Sequence, residues 1–268
     1  TLTVAMKPYF SFQKFSGTYS FHPQSPAGRL SHLPLDGHLF DPHQNKGGMG
    51  LSTAEFIFQY SEKNKKTDKW AKDSEQVIQC WQTYRQLHAD EKNPPSGVDL
   101  ITQLMGGYLM THLKNEMWMR KELAWPFADW DWALIKTGIK LPTHEHLKKD
   151  LNHLNFKRAG EICSDIIKGF YQKESLLFLQ SMKSWSQWLE DENLLASHSK
   201  RIITELESLP GFLLAKGCGA MGSDQVFILF EESKKEEFQI ALKQKKFDSS
   251  QIQYSEQQDN QGLHFENS

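Results

Sequence analysis

One acidic residue and two glycine-rich stretches carry the side chains that chemistry could use. Asp99 ends the run Pro94-Pro95-Ser96-Gly97-Val98-Asp99. The prolines force an extended approach, and Pro95 restricts the residue before it. Gly97 permits a tight turn, so Asp99 falls at or near the start of a short helix over Leu100–Met105. The helix dipole and backbone N–H groups hold a carboxylate ionised there. Such a group suits a general base that takes a proton from a substrate hydroxyl, typically worth ~10²–10⁴ in rate. A plain helix cap would use the same residue in the same place.

The first glycine stretch is Lys46-Gly47-Gly48-Met49-Gly50-Leu51-Ser52-Thr53, and it runs into the apolar Ala54, Phe56, Ile57 and Phe58. Glycines let the backbone turn back and let a ligand approach closely. Ser52 or Thr53 is expected to cap the helix that follows. A glycine loop opening into a helix gathers free N–H groups and about half a positive charge, which is a seat for phosphate. An ordinary Gly-rich turn fits these residues too. The second stretch, Lys216-Gly217-Cys218-Gly219-Ala220-Met221-Gly222-Ser223-Asp224, feeds an apolar strand over 225–230, and a tight hairpin loop explains it equally.

The elements that must position these residues follow from periodicity. Thr1–Val4, Tyr9–Phe15 and Thr18–Phe21 alternate like strands, whereas residues 22–45, rich in Pro, His, Gly and Asp, read as loop. Of the histidines in that loop, His22, His32, His38 and His43 have no spacing typical of metal ligands. Trp70, Val77, Cys80, Trp81, Tyr84 and Leu87 recur at helical spacing and read as core. Tyr108–Leu113 and Trp132–Lys136 read as strands, 156–189 and 194–209 as amphipathic helices, and 234–245 as a last helix between short strands. A helical middle followed by strand, turn and strand indicates an α+β fold. The closing strand–helix–strand suits a ferredoxin-like lobe.

Composition excludes several classes. With 31 basic and 33 acidic residues the chain offers no electrostatic reason to expect nucleic acid or an anionic membrane as partner. Three scattered cysteines fit a reducing, cytoplasmic setting better than a disulfide scaffold. No apolar run approaches the ~20 residues that span a bilayer. Oligomeric state stays open between monomer and homodimer.

Together these segments resemble the GHMP kinases, the family of galactokinase, homoserine kinase, mevalonate kinase and phosphomevalonate kinase. Gly48-Met49-Gly50-Leu51-Ser52-Thr53-Ala54 resembles the family's Gly-Leu-Gly-Ser-Ser-Ala-Ala phosphate loop. Pro95–Asp99, with Gly106-Gly107 beyond, is similar to the Pro-Ser-Gly-Val-Asp stretch that holds the catalytic aspartate of mevalonate kinases. Thr137-Gly138-Ile139-Lys140 and Thr143 resemble the segment whose threonine lies near the transferred phosphate. Lys216–Asp224 resembles the last loop of phosphomevalonate kinases.

The resemblance implies a two-lobed fold, with an α/β sandwich over residues 1–140 and a ferredoxin-like lobe over 141–268. It implies transfer of the γ-phosphoryl group of ATP, with Mg²⁺, to a hydroxyl or phosphate of phosphomevalonate or mevalonate. Gly47, Gly48, Met49, Gly50, Leu51, Ser52 and Thr53 would cradle the nucleotide, and Ser52 would ligate Mg²⁺. Asp99 and Thr143 would be catalytic. Ser96, Gly97, Lys140, Gly219, Ala220, Met221, Gly222, Ser223 and Asp224 would contact the acceptor.

This sequence also departs from the pattern. Leu51 stands where the family has its first serine, and Met221 and Ser223 replace glycines. The stretch Arg85–Glu91 offers no clear counterpart of the Mg²⁺-binding glutamate. The family's Pro-Gly-Lys strand ending in Gly-Glu-Tyr or Gly-Glu-His has no counterpart, and Thr1–Tyr9 resembles the segment after it, so a first hairpin upstream of Thr1 is expected. Loss of that lysine motif is also what a non-catalytic nucleotide- or metabolite-binding protein of this fold would show.

Overall fold

The structure is a computed structural model that describes residues 2–4, 11–31, 35–40, 50–66, 70–91, 95–114, 117–139, 154–219, 222 and 224–257. Its contacts divide the chain into two compact units, one within the residues up to Ala124 and the other over Trp125–Gln257. The division falls earlier than the boundary expected at 140.

In chain order the first unit contains β1 (Leu2–Val4), β2 (Ser11–Tyr19), α1 (Pro26–Leu30), β3 (Leu35–Phe40), α2 (Leu51–Lys63), α3 (Ser74–Gln86), α4 (Val98–Met105), β4 (Tyr108–Lys114) and β5 (Met117–Leu123). The antiparallel order β1-β4-β5 makes one sheet, and β2 pairs with β3 in a second. The described residues within 22–45 are therefore more regular than the polar composition implies. Ser25 caps α1 by accepting from Gly28 N, and Leu35–Phe40 finds a partner strand that a single-sequence pattern does not reveal.

Three helices build the core of this unit. In α3 the residues Val77, Cys80, Trp81 and Tyr84 follow i, i+3, i+4, i+7 spacing and are all buried. Asp73 caps that helix, accepting from the N–H groups of Glu75 and Gln76 at 2.9 and 3.4 Å. Leu100, Ile101, Leu104 and Met105 of α4 pack into the same cluster, beside Phe56, Ile57 and Tyr60 of α2. A helix as short as α4 is marginal by itself in water. Packing holds it, between Gly97 and Gly106, both at positive φ.

The second unit contains β6 (Trp130–Lys136), α5 (Phe156–Gln172), α6 (Ser175–Asp191), α7 (Ser197–Leu206), β7 (Phe212–Cys218), β8 (Gln225–Glu231), α8 (Lys235–Gln244) and β9 (Ile252–Tyr254). Its sheet runs β7-β8-β6-β9, antiparallel throughout. Asp131–Lys136 are buried consecutively, so both faces of β6 are covered. Pairing with β8 and β9 assigns this strand to the second unit. Phe230 of β8 stacks on Phe238 of α8 with ring centroids 4.1 Å apart, both fully buried.

Candidate active site

The start of α2 is built by Gly50, not by a hydroxyl. Gly50 is the N-cap, with φ of 80° and no side-chain hydrogen bond, so Ser52 and Thr53 lie inside the first turn and neither caps it. The N–H groups of Thr53 and Ala54 return to the Gly50 carbonyl at 3.1 and 3.0 Å. Among the described residues no backbone acceptor meets the N–H groups of Leu51 and Ser52, and no side chain hydrogen-bonds the Ser52 hydroxyl. A helix of 13 residues that opens this way presents donors and dipole to an anion.

Asp99 lies in the first turn of α4, whose N-cap is Gly97, and its side chain is exposed. It caps nothing. Instead Thr53 Oγ1 donates to Asp99 Oδ2 at 2.5 Å, joining the first turns of α2 and α4. One helical turn beyond Asp99, Gln103 Nε2 donates to the Gly50 carbonyl at 3.0 Å. The glycine loop's exit and the acidic residue are thus clasped twice.

The turn before Asp99 is fixed from α3. Trp81 Nε1 donates to the Ser96 carbonyl at 2.8 Å, and Arg85 Nη1 donates to the Pro95 carbonyl at 3.2 Å. Gly97 has φ of 72°, and a Cβ there would meet Trp81 Cδ1 at 2.6 Å. Glycine is required on both counts. Ser96 and Gly97, expected as substrate contacts, therefore also tie Asp99 to the core.

Tyr84 completes the arrangement. Burial pushes its phenol well above the usual tyrosine range, the Asp99 charge adds to the rise, and a hydrogen bond with Thr53 opposes it. In the sequence Tyr84 and Trp81 read as core packing alone; a buried aromatic with a polar tip needs a partner, but its position along the chain does not say which. Glu91, in the stretch that offers no clear counterpart of the family's Mg²⁺-binding glutamate, is engaged by Arg29 at 3.0 Å and His88 at 2.8 Å. No three His, Cys, Asp or Glu side chains gather into a metal-binding group among the described residues.

In the second unit the other glycine stretch is the β7–β8 turn. Asp224 N donates to the Cys218 carbonyl at 3.1 Å, and Gly222 N donates to the Gly219 carbonyl at 3.3 Å. Both glycines have positive φ, and a Cβ on Gly219 would lie 2.6 Å from Asp224 Oδ2. Thr137 Oγ1 donates to the Asp224 carbonyl at 3.0 Å, linking the end of β6 to this turn. Asp224 is 8% exposed. Gly47, Gly48, Met49, Lys140, Thr143, Ala220, Met221 and Ser223 lie outside the described residues.

No protein-family model and no curated protein matches the sequence. Solved structures do match. Phosphomevalonate kinase of Streptococcus pneumoniae, in complex with phosphomevalonate and AMPPNP, aligns over 79% of this chain and 69% of its own, with TM-score 0.60 and 11% identity. Homoserine kinase from Cytophaga hutchinsonii aligns over 84% and 70%, with TM-score 0.56 and 14% identity. L. major mevalonate kinase in complex with R-mevalonate aligns over 66% and 57%, with TM-score 0.51 and 17% identity. The fold is that of the GHMP kinases. At these identities the likeness is one of fold, and the chain spans 57% of the length of the L. major enzyme. In the GHMP-kinase fold found here, Thr53 stands where the phosphate loop quoted above has an alanine, and it is Thr53 that reaches Asp99.

Proposed function

We propose that this chain carries the phosphoryl-transfer site of a small-molecule kinase, moving the γ-phosphoryl group of ATP to a hydroxyl or phosphate of a metabolite. Mevalonate and phosphomevalonate are the proposed acceptors. The observation that carries the reading is the Thr53–Asp99 hydrogen bond, which sets an exposed carboxylate beside an uncapped helix start. The same pairing of parts is what the sequence resemblance implies, and the fold neighbours include kinases of both acceptors.

The residues present fit the groups this reaction needs. The free N–H groups of Leu51 and Ser52 suit phosphate oxygens. The Ser52 hydroxyl and one carboxylate suit a hard cation that is bound largely through substrate phosphates and keeps several waters. Mg²⁺, when bound, would neutralise charge on the phosphates. The first turn of α2 binds and orients the nucleotide. Asp99 accepts the proton of the acceptor hydroxyl, and Gly97 with the Trp81 and Arg85 contacts keeps it in place. Phosphoryl transfer asks a protein mainly for positioning and charge stabilisation. Lys140, Thr143 and the Gly219–Asp224 turn keep their expected roles as part of this proposal.

Calorimetric titration of ATP at stepped Mg²⁺ tests the nucleotide half. The wild-type chain binds, and Ser52→Ala binds but needs more Mg²⁺ to do so. Absence of nucleotide binding at any Mg²⁺ level overturns the reading, and an unaltered metal titration removes Ser52 from it.

A further inference from the structure

We propose that Thr53 is the positioning residue of Asp99, fixing one carboxylate oxygen so that the other meets the acceptor; the inference rests on the kinase reading above. Thr53 is fully buried whereas Asp99 is exposed, so the hydroxyl is held by the core and the carboxylate is held by the hydroxyl. A carboxylate is an acceptor only, and a threonine hydroxyl has one proton. Thr53 gives that proton to Asp99 Oδ2 at 2.5 Å.

The result is one directed hydrogen bond, from the core-held Thr53 hydroxyl to Asp99 Oδ2. A hydrogen bond to an ionised carboxylate is roughly twice as strong as one between neutral groups. Among the described residues no other group hydrogen-bonds the Asp99 carboxylate. Without Thr53 the exposed side chain is free to change rotamer, and Oδ1 loses its bearing. A valine at position 53 keeps the volume and removes the donor.

The kinetic test compares Thr53→Val, Thr53→Ser and Asp99→Asn, alone and combined, for turnover with saturating ATP and acceptor. Thr53→Val loses about tenfold to a hundredfold in kcat with little change in KM for ATP, the size expected when a reacting group is misplaced by about an ångström. Thr53→Ser restores most of it. In the Asp99→Asn background Thr53→Val costs nothing further, whereas a residue that serves only the fold would still cost there. Full additivity, or no rescue by serine, overturns the proposal. The side-chain carboxyl ¹³C resonance of Asp99 reads the same contact without turnover. It moves in Thr53→Val and stays in Thr53→Ser; an unmoved resonance overturns the positioning role. If the wild type releases no ADP with any acceptor but the resonance behaves as stated, the kinase reading fails and the Thr53–Asp99 coupling stands.

Discussion

Replacing Gly97 by alanine tests how tightly the turn before Asp99 is tied to the core. The backbone at Gly97 has φ of 72°, where an L side chain costs roughly 1–2 kcal/mol. The added Cβ would also sit 2.6 Å from Trp81 Cδ1 and 2.8 Å from its Nε1. That indole is 4% exposed and donates to the Ser96 carbonyl, so it has no free direction in which to retreat. Overpacking of this kind costs about 1–3 kcal/mol, giving roughly 2–5 kcal/mol in all. With a urea slope of about 2 kcal/mol per molar, the midpoint falls by about 1–2.5 M. Gly50→Ala is the control. Its φ is 80°, but the Cβ would meet Gln103 Nε2, the end of a flexible side chain that can swing away. Its cost is the backbone term plus one hydrogen bond of about 0.5–1.5 kcal/mol, so it is the milder change. Urea unfolding followed by tryptophan fluorescence measures both. A Gly97→Ala chain that unfolds at the wild-type midpoint, or later than Gly50→Ala, refutes the reasoning.

Other parts of the molecule give sharp expectations. Phe238→Ala removes a fully buried ring stacked on Phe230 and costs about 3–5 kcal/mol, read as a lower urea midpoint for the second unit; a shift under 1 kcal/mol contradicts its place in that core. Asp73→Ala lowers the midpoint at neutral pH by removing the α3 cap. Hydrogen bonds from the Gln76 side chain and from backbone N–H groups hold the Asp73 carboxyl below its ordinary 3.8. A depressed folded-state pKa gives stability that is present above the unfolded value and is lost as pH falls through the folded one. The gap between wild type and Asp73→Ala therefore closes only below about pH 4, and a gap already closed at pH 6 contradicts the cap.

Much of this organisation is legible in the residues themselves, because local rules act alone there. The spacing of Val77, Cys80, Trp81 and Tyr84 places one face of α3 in the core, and Gly97 followed by an apolar repeat places Asp99 in a first turn. Where a partner distant in sequence decides the outcome, the pattern says less. Leu35–Phe40 looks like polar loop until β2 supplies its hydrogen bonds, and β6 belongs with β8, roughly a hundred residues on. The same limit holds at the site. Glycine spacing announces the start of α2, but Gly50 displaces the expected hydroxyl cap and leaves Thr53 to bond Asp99, 46 positions away. Tyr84 sits among core aromatics, and only the packing of α3 with α2 and α4 brings its phenol under the influence of the Asp99 charge.

Coupled ADP release is the most direct measurement of the account. It should be run on the wild type and on Asp99→Asn with mevalonate, phosphomevalonate and a few sugars. The account predicts acceptor-dependent release by the wild type and a loss of at least ~10²-fold in Asp99→Asn. Equal turnover by the two proteins would remove Asp99 from the chemistry and contradict the central claim.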